Sequence, residues 1–249
     1  MANGYAAHFG LNKLSASNYK SLPHPLPCCE ADAEAMAGIA KRQGFKQVDT
    51  YLSAEATINT FNECMAQLAE KAMPGDLVLL SFSGHGGQVL DTDGDEDDGK
   101  DETWCFYDGQ VVDDRIFDLL SHFQPGVRIL VVSDSCHSGT VTRLPREGWG
   151  RNAFPFAPPT PTWRQKKDDL QASVLLLASC QDDETSKAGL KHSRFTQILL
   201  DVWDEGRFEG DYRKFLTDIR HRHPFGQKPN YYVIGAKDEG FEGGRVFGV

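Results

Sequence analysis

Two residues able to carry out acyl-transfer chemistry, a histidine and a cysteine, sit in matching settings. His85 lies in Ser83-Gly84-His85-Gly86-Gly87, directly after the apolar run Leu77-Val78-Leu79-Leu80-Ser81-Phe82. Cys136 lies in Asp134-Ser135-Cys136-His137-Ser138-Gly139, after Val127-Arg128-Ile129-Leu130-Val131-Val132. A thiolate can attack a carbonyl carbon if an imidazole takes and returns the proton and N–H groups receive the oxyanion. Cys136 is therefore the candidate nucleophile and His85 the candidate base. The backbone N–H groups of Gly86 and Cys136 are the candidate oxyanion donors, with the small neighbours Gly87 and Ser135 leaving room. A single buried Cys or His is more often a packing residue. Two separate strand ends, each carrying one of the required groups, weigh against that reading. His137, next to Cys136 on an extended segment, is expected to point away from the thiol.

The elements that must position this pair follow from periodicity. A short β-branched run ending in small polar residues reads as a buried strand delivering a side chain to the sheet's carboxyl edge. Further strands are expected at Tyr5 to Leu11, Lys46 to Tyr51, Ala172 to Ser179 and Asn230 to Gly235, with a hairpin-like stretch at Trp104 to Val112. Helices are expected at Glu30 to Gln43, from Ser53 or Thr57 to about Met73, from Asp113 to about Phe123, at His192 to Trp203 and at Tyr212 to Arg220. Strands and helices alternate without an internal repeat, which predicts an α/β fold with a mostly parallel central sheet flanked by helices.

The chain has 249 residues and 40% hydrophobic content, enough for one packed domain. A formal charge of −10 and a pI near 5.2 argue against nucleic acid or an anionic membrane as partner and favour basic peptides or proteins. No basic segment followed by an apolar one opens the sequence, and no run approaches spanning length, so a soluble, cytoplasmic protein is expected. Six cysteines without framework spacing suit reduced thiols. The absence of CxxC pairs argues against structural zinc.

His85 precedes Cys136 by about fifty residues, the order found in caspase-type enzymes and the reverse of the papain type. The two motifs together resemble those of the metacaspase and orthocaspase branch of the caspase-like cysteine peptidases. Cys29-Glu30-Ala31-Asp32-Ala33, Gly94-Asp95-Glu96, Asp113-Asp114 and Ser179-Cys180-Gln181-Asp182-Asp183-Glu184-Thr185-Ser186 extend the similarity over most of the chain. The resemblance implies a single three-layer caspase-like domain. It would comprise a large-subunit-like region (1–142), a connecting loop (143–171) and a small-subunit-like region (172–249). It also implies endopeptidase cleavage after Arg or Lys. Cys29, Asp32, Ser83 and Asp134 match the family's specificity pocket, and two buried carboxylates would pair with a guanidinium and repel an acidic side chain.

The resemblance further implies a Ca²⁺ site, with Asp101, Asp113 and Asp114 at matching positions and hard oxygen ligands of the kind Ca²⁺ takes. The acidic run from Asp91 to Glu102 is not an EF-hand. Its glycine falls at the fourth position instead of the sixth, and no helix is predicted on either side. After the cysteine, Thr140-Val141-Thr142-Arg143 lacks the acidic residue often found there in the family. A calcium-independent, orthocaspase-like effector protease switched on by a small molecule or a partner therefore remains the competing reading, alongside a non-catalytic caspase-like scaffold. The connecting loop carries Arg143, Arg146, Arg151, Arg164, Lys166 and Lys167, so a pocket for basic side chains predicts self-cleavage there.

Overall fold

The computed structural model describes residues 2–19, 22–90, 100–137, 170–179, 191–223 and 229–249, with the backbone alone for Leu90, Lys100, Asp101, Cys136 and His137. The connecting loop up to residue 169, the run from Asp91 to Gly99 and the segment from Cys180 to Leu190 lie outside the described residues.

Among the described residues eight strands form one sheet: β1 (Gly4–Gly10), β2 (Gln47–Leu52), β3 (Leu77–Leu90), β4 (Lys100–Phe106), β5 (Gly109–Val112), β6 (Arg128–His137), β7 (Ser173–Ala178) and β8 (Asn230–Gly235). The main path runs β2-β1-β3-β6-β7-β8, with β4 and β5 added beyond it through β3. All pairs from β2 to β7 along the path are parallel, whereas β7–β8, β3–β4 and β4–β5 are antiparallel. The helices are α1 (Cys29–Arg42), α2 (Ile58–Lys71), α3 (Asp113–Ser121), α4 (Arg194–Trp203), α5 (Tyr212–Arg222) and α6 (Glu239–Glu242).

Both sheet faces are covered, so the central strands are apolar almost throughout instead of alternating. Val78 and Leu80 of β3 join α2 (Phe61, Met65, Leu68) and α3 (Ile116, Leu120) in one cluster. Leu77 and Leu79 join α1 (Met36, Ile39), α4 (Phe195, Leu199) and α5 (Phe215, Ile219) in the other. This is the three-layer α/β arrangement the periodicity predicts.

The two key strands differ from expectation in length. Their apolar runs were expected to end before the His and Cys, yet β3 continues through Ser83–Gly87 to Leu90 and β6 through Asp134 to His137. The reason is pairing. From Gly86 to Leu90, β3 gains an antiparallel partner in β4, so backbone groups beyond the apolar run still find hydrogen bonds. Gly87 is needed for this approach: a Cβ there would lie 2.7 Å from Gln110 Oε1 and 3.0 Å from Thr103 Oγ1.

Candidate active site

Parallel pairing of β3 with β6 sets Ser83 opposite Asp134 and His85 opposite Cys136. The two residues singled out for acyl transfer are thus Cα partners on adjacent central strands. Gly86 stands opposite His137 on one side and Trp104 on the other.

His85 is 3% exposed. Its Nε2 lies 2.9 Å from the His24 carbonyl oxygen, which can only accept, so Nε2 carries the proton and Nδ1 is left as the basic nitrogen. Burial lowers the His85 pKa to about 4, partly opposed by the His24 bond, so the ring is neutral at physiological pH. Sequence reasoning missed His24, because it acts through its backbone and leaves no side-chain signature.

The four residues assigned to the specificity pocket come together on α1, β3 and β6. Ser83 Oγ donates to Asp32 Oδ2 at 3.0 Å. The Cys29 thiol lies beside Ser83 and Cys28, and its pKa is raised, first by its bond to Cys28 and then by burial. Cys28, Cys29, Cys64 and Cys105 are free thiols. Asp32 and Asp134 are 1% and 3% exposed, and a third element joins them. The Ser193 backbone N–H donates to Asp32 Oδ1 at 3.1 Å, while its hydroxyl donates to Asp134 Oδ2 and also caps α4 by accepting from the Thr196 N–H. Thr196 Oγ1 donates to the same Asp134 oxygen at 2.9 Å, and His192 Nδ1 meets Asp32 Oδ1 at 3.1 Å. Burial first, and then the nearby Asp134 charge, raise the Asp32 pKa to about 8. His192, Ser193 and Thr196 were not anticipated. A Ser three residues before a Thr at the start of a helical pattern signals a cap, not a pocket.

The proposed calcium ligands occupy one end of the β4–β5 hairpin. Thr103 pairs with Val112, which brings Asp101 and Glu102 alongside Asp113 and Asp114 at the start of α3. Asp113 is buried, and its Oδ1 accepts from the Asp114 N–H. The Asp101 side chain lies outside the description, and no cluster of three metal ligands occurs among the described residues. An all-carboxylate set at this hairpin end fits a hard cation in donor chemistry. The strands β3 and β4, not helices, flank the acidic run, in line with rejecting an EF-hand.

Residues 14–237 match the family model of the caspase domain. The chain belongs to the caspase-domain family. Over 131 residues it is 38% identical to Metacaspase-1A of Neurospora crassa, covering 47% of this chain and 29% of that protein. Over 142 residues it is 35% identical to Metacaspase-1B of Aspergillus fumigatus, covering 51% of this chain and 35% of that protein. The matches thus span about a third of the length of these curated relatives. The crystal structure of a Geobacter sulfurreducens protein, 38% identical, matches with a TM-score of 0.82 over 99% of each chain. These findings place the chain in the caspase-domain family, with metacaspases among the proteins it is similar to. Among the described residues of this caspase-like domain, no helix is long and apolar enough to cross a membrane.

Proposed function

We propose that this protein is a cysteine endopeptidase that cleaves peptide bonds after Arg or Lys with Cys136 as nucleophile and His85 as base. The observation that carries the reading is the β3–β6 register: it pairs His85 with Cys136 two residues beyond the pairing of Ser83 with the buried Asp134. The reactive pair and the acidic pocket are thereby one short step apart on the same two strands.

In this mechanism the Cys136 sulfur attacks the scissile carbonyl and its proton passes to His85 Nδ1, the nitrogen left basic by the His24 contact. The oxyanion is received by the N–H groups of Gly86 and Cys136. His85 then protonates the leaving amine, and water releases the acyl group with the same ring as base. Asp32 and Asp134 hold the basic side chain, and an acidic one is rejected by repulsion. Asp101, Asp113 and Asp114 would hold Ca²⁺, whose charge would brace the start of α3 and the hairpin. The basic residues of the connecting loop are tethered substrates for the same pocket.

The test is a fluorogenic peptide panel with Arg, Lys or Asp before the scissile bond, run with chelator and with added Ca²⁺, and with Cys136→Ala as control. Arg and Lys cleavage, lost in Cys136→Ala and raised by Ca²⁺, is expected, with intact masses showing loop cleavage only in the active protein. Asp cleavage, or activity surviving the substitution, overturns the reading. Equal rates with chelator and Ca²⁺ overturn the calcium role alone.

A further inference from the structure

The proposed pocket contains two buried carboxylates whose immediate surroundings raise a question of charge. Among the described residues, the hydrogen bonds to Asp32 come from the Ser83 hydroxyl, the Ser193 backbone N–H and the His192 ring, none of which carries a fixed positive charge. Asp134 is linked to Asp32 through the one residue Ser193, which bonds to both. Two ionised carboxylates held this close, each nearly free of solvent, would repel each other and forfeit hydration. A buried pair in this position is stabilised by taking up a proton, as in paired-carboxylate sites generally.

We propose that, in the empty pocket, the Asp32–His192 pair holds one proton in place of the substrate's cation and releases it to solvent when an Arg or Lys side chain enters. The inference rests on the Arg/Lys reading above and deepens it: pocket loading is an exchange of one positive charge for another. The proton sits between Asp32 Oδ1 and His192 Nδ1, the 3.1 Å contact. The surrounding shifts agree on which side holds it. Asp32 is raised and His192 lowered, the latter by burial and then by Lys191, so the carboxyl is the protonated partner and the neutral ring accepts from it. The other titratable groups facing the pair are Asp134 from β6, Cys28 and Cys29 from α1, and Lys191 beside the ring. A guanidinium or ammonium supplies the charge that Asp32 lacks, favours the ionised carboxylate and drives the proton off.

The exchange has a kinetic signature. A proton competing with substrate for the pocket raises KM about tenfold for each pH unit below the pair's transition. Because His85 stays neutral down to about pH 4, kcat is expected to hold between pH 7 and 5 while KM climbs.

The direct test is calorimetric. An alanine-rich hexapeptide with one central Arg is titrated into Cys136→Ala protein at pH 7 in phosphate and in Tris, whose different ionisation enthalpies report protons released on binding. Close to one proton per bound peptide is expected. Asp32→Asn, which mimics the protonated acid, should release essentially none. His192→Lys, which places a fixed cation on Asp32, should also release none and should bind the peptide at least tenfold more weakly. Binding without proton release in the parent protein, or undiminished release in Asp32→Asn, overturns the exchange and leaves the Arg/Lys reading standing. Absence of any Arg-dependent binding overturns both.

Discussion

At the scale of single residues, the buried acids Asp32 and Asp134 depend on hydroxyl groups contributed from far along the chain. Thr196 Oγ1 donates to Asp134 Oδ2 in a fully buried setting. Thr196→Val keeps the shape and removes the donor, which costs about 1–3 kcal/mol in the placement of a charged acceptor. Expressed through substrate binding, that is a KM for Arg peptides roughly ten- to a hundredfold higher, since each ~1.4 kcal/mol is a factor of ten. The kcat should stay within about twofold, and Thr196→Ser should restore KM. Steady-state kinetics on the three proteins check this, and a fall in kcat at constant KM would remove Thr196 from the pocket. That Cys29, Asp32, Ser83 and Asp134 come together was legible because each stands in or near a recognisable motif. His192 was not, because its partner Asp32 is 160 residues away and nothing local to it suggests a pocket.

At the scale of elements, the order of strands and helices was legible almost residue by residue, from Gly4–Gly10 through Asn230–Gly235, because apolar periodicity reports burial directly. What was lost was the extension of β3 and β6, the start of β4 at Lys100 within the acidic run, and the short α6 (Glu239–Glu242). Ser83–Gly87 has poor strand propensity, and tertiary pairing makes it a strand, with β6 along Ser83–Gly86 and with β4 from Gly86 on. The seating of α1 on β1 was likewise invisible, and it decides where two pocket residues lie. A Cβ on Gly10 would stand 2.4 Å from the Cys29 carbonyl oxygen and 2.7 Å from Ala33 Cβ, both on α1. The obstruction is helix backbone and cannot swing aside. Gly10→Ala is expected to push the start of α1 outward, costing about 1–3 kcal/mol and lowering Tm by about 2–4 °C per kcal/mol. Because Cys29 and Asp32 travel with α1, KM for Arg peptides should rise as well. Gly38, on the same helix with nothing within 4 Å of an added Cβ, is the control. Gly38→Ala should stabilise by about 0.5–1 kcal/mol and leave KM unchanged. Thermal unfolding and kinetics on both variants give the answer, and equal behaviour of the two would refute the seating argument.

At the scale of the whole molecule, buried titratable groups on the central sheet give stability a defined pH dependence. His8 on β1 is fully buried, with Nδ1 on Ser81 Oγ at 2.8 Å and no partner for Nε2, and burial lowers its pKa to about 3. His85 is lowered to about 4 in the same way. An unfolded chain protonates both rings near pH 6.5 while the folded chain does not, so the unfolded state binds more protons and stability falls as pH drops from about 6.5 toward 4. Asp32 acts with the opposite sign. Its folded value is raised to about 8, so its contribution is fully present below the unfolded carboxylate range and is lost as pH rises through 8. Between pH 6.5 and 4 His8, His85 and His192, all lowered, outweigh the one carboxyl, and above 6.5 the carboxyl acts first, joined near the unfolded thiol value of about 8.5 by the buried, raised thiols of Cys29, Cys64 and Cys105. Stability of Cys136→Ala protein, which under the proposed mechanism cannot cleave itself, should therefore peak near pH 6.5. It should decline on both sides at about 1.4 kcal/mol per pH unit for each net proton. Asp32→Asn in the same background is neutral at every pH. It should approach its parent toward pH 4, exceed it increasingly as the pH rises to 8, lose the Asp32 share of the alkaline decline and steepen the acid one. Urea unfolding from pH 4.5 to 8.5 measures both limbs. A decline between pH 6.5 and 7.5, below the range of the buried thiols, that survives Asp32→Asn undiminished would show that the charge frustration lies elsewhere than on Asp32.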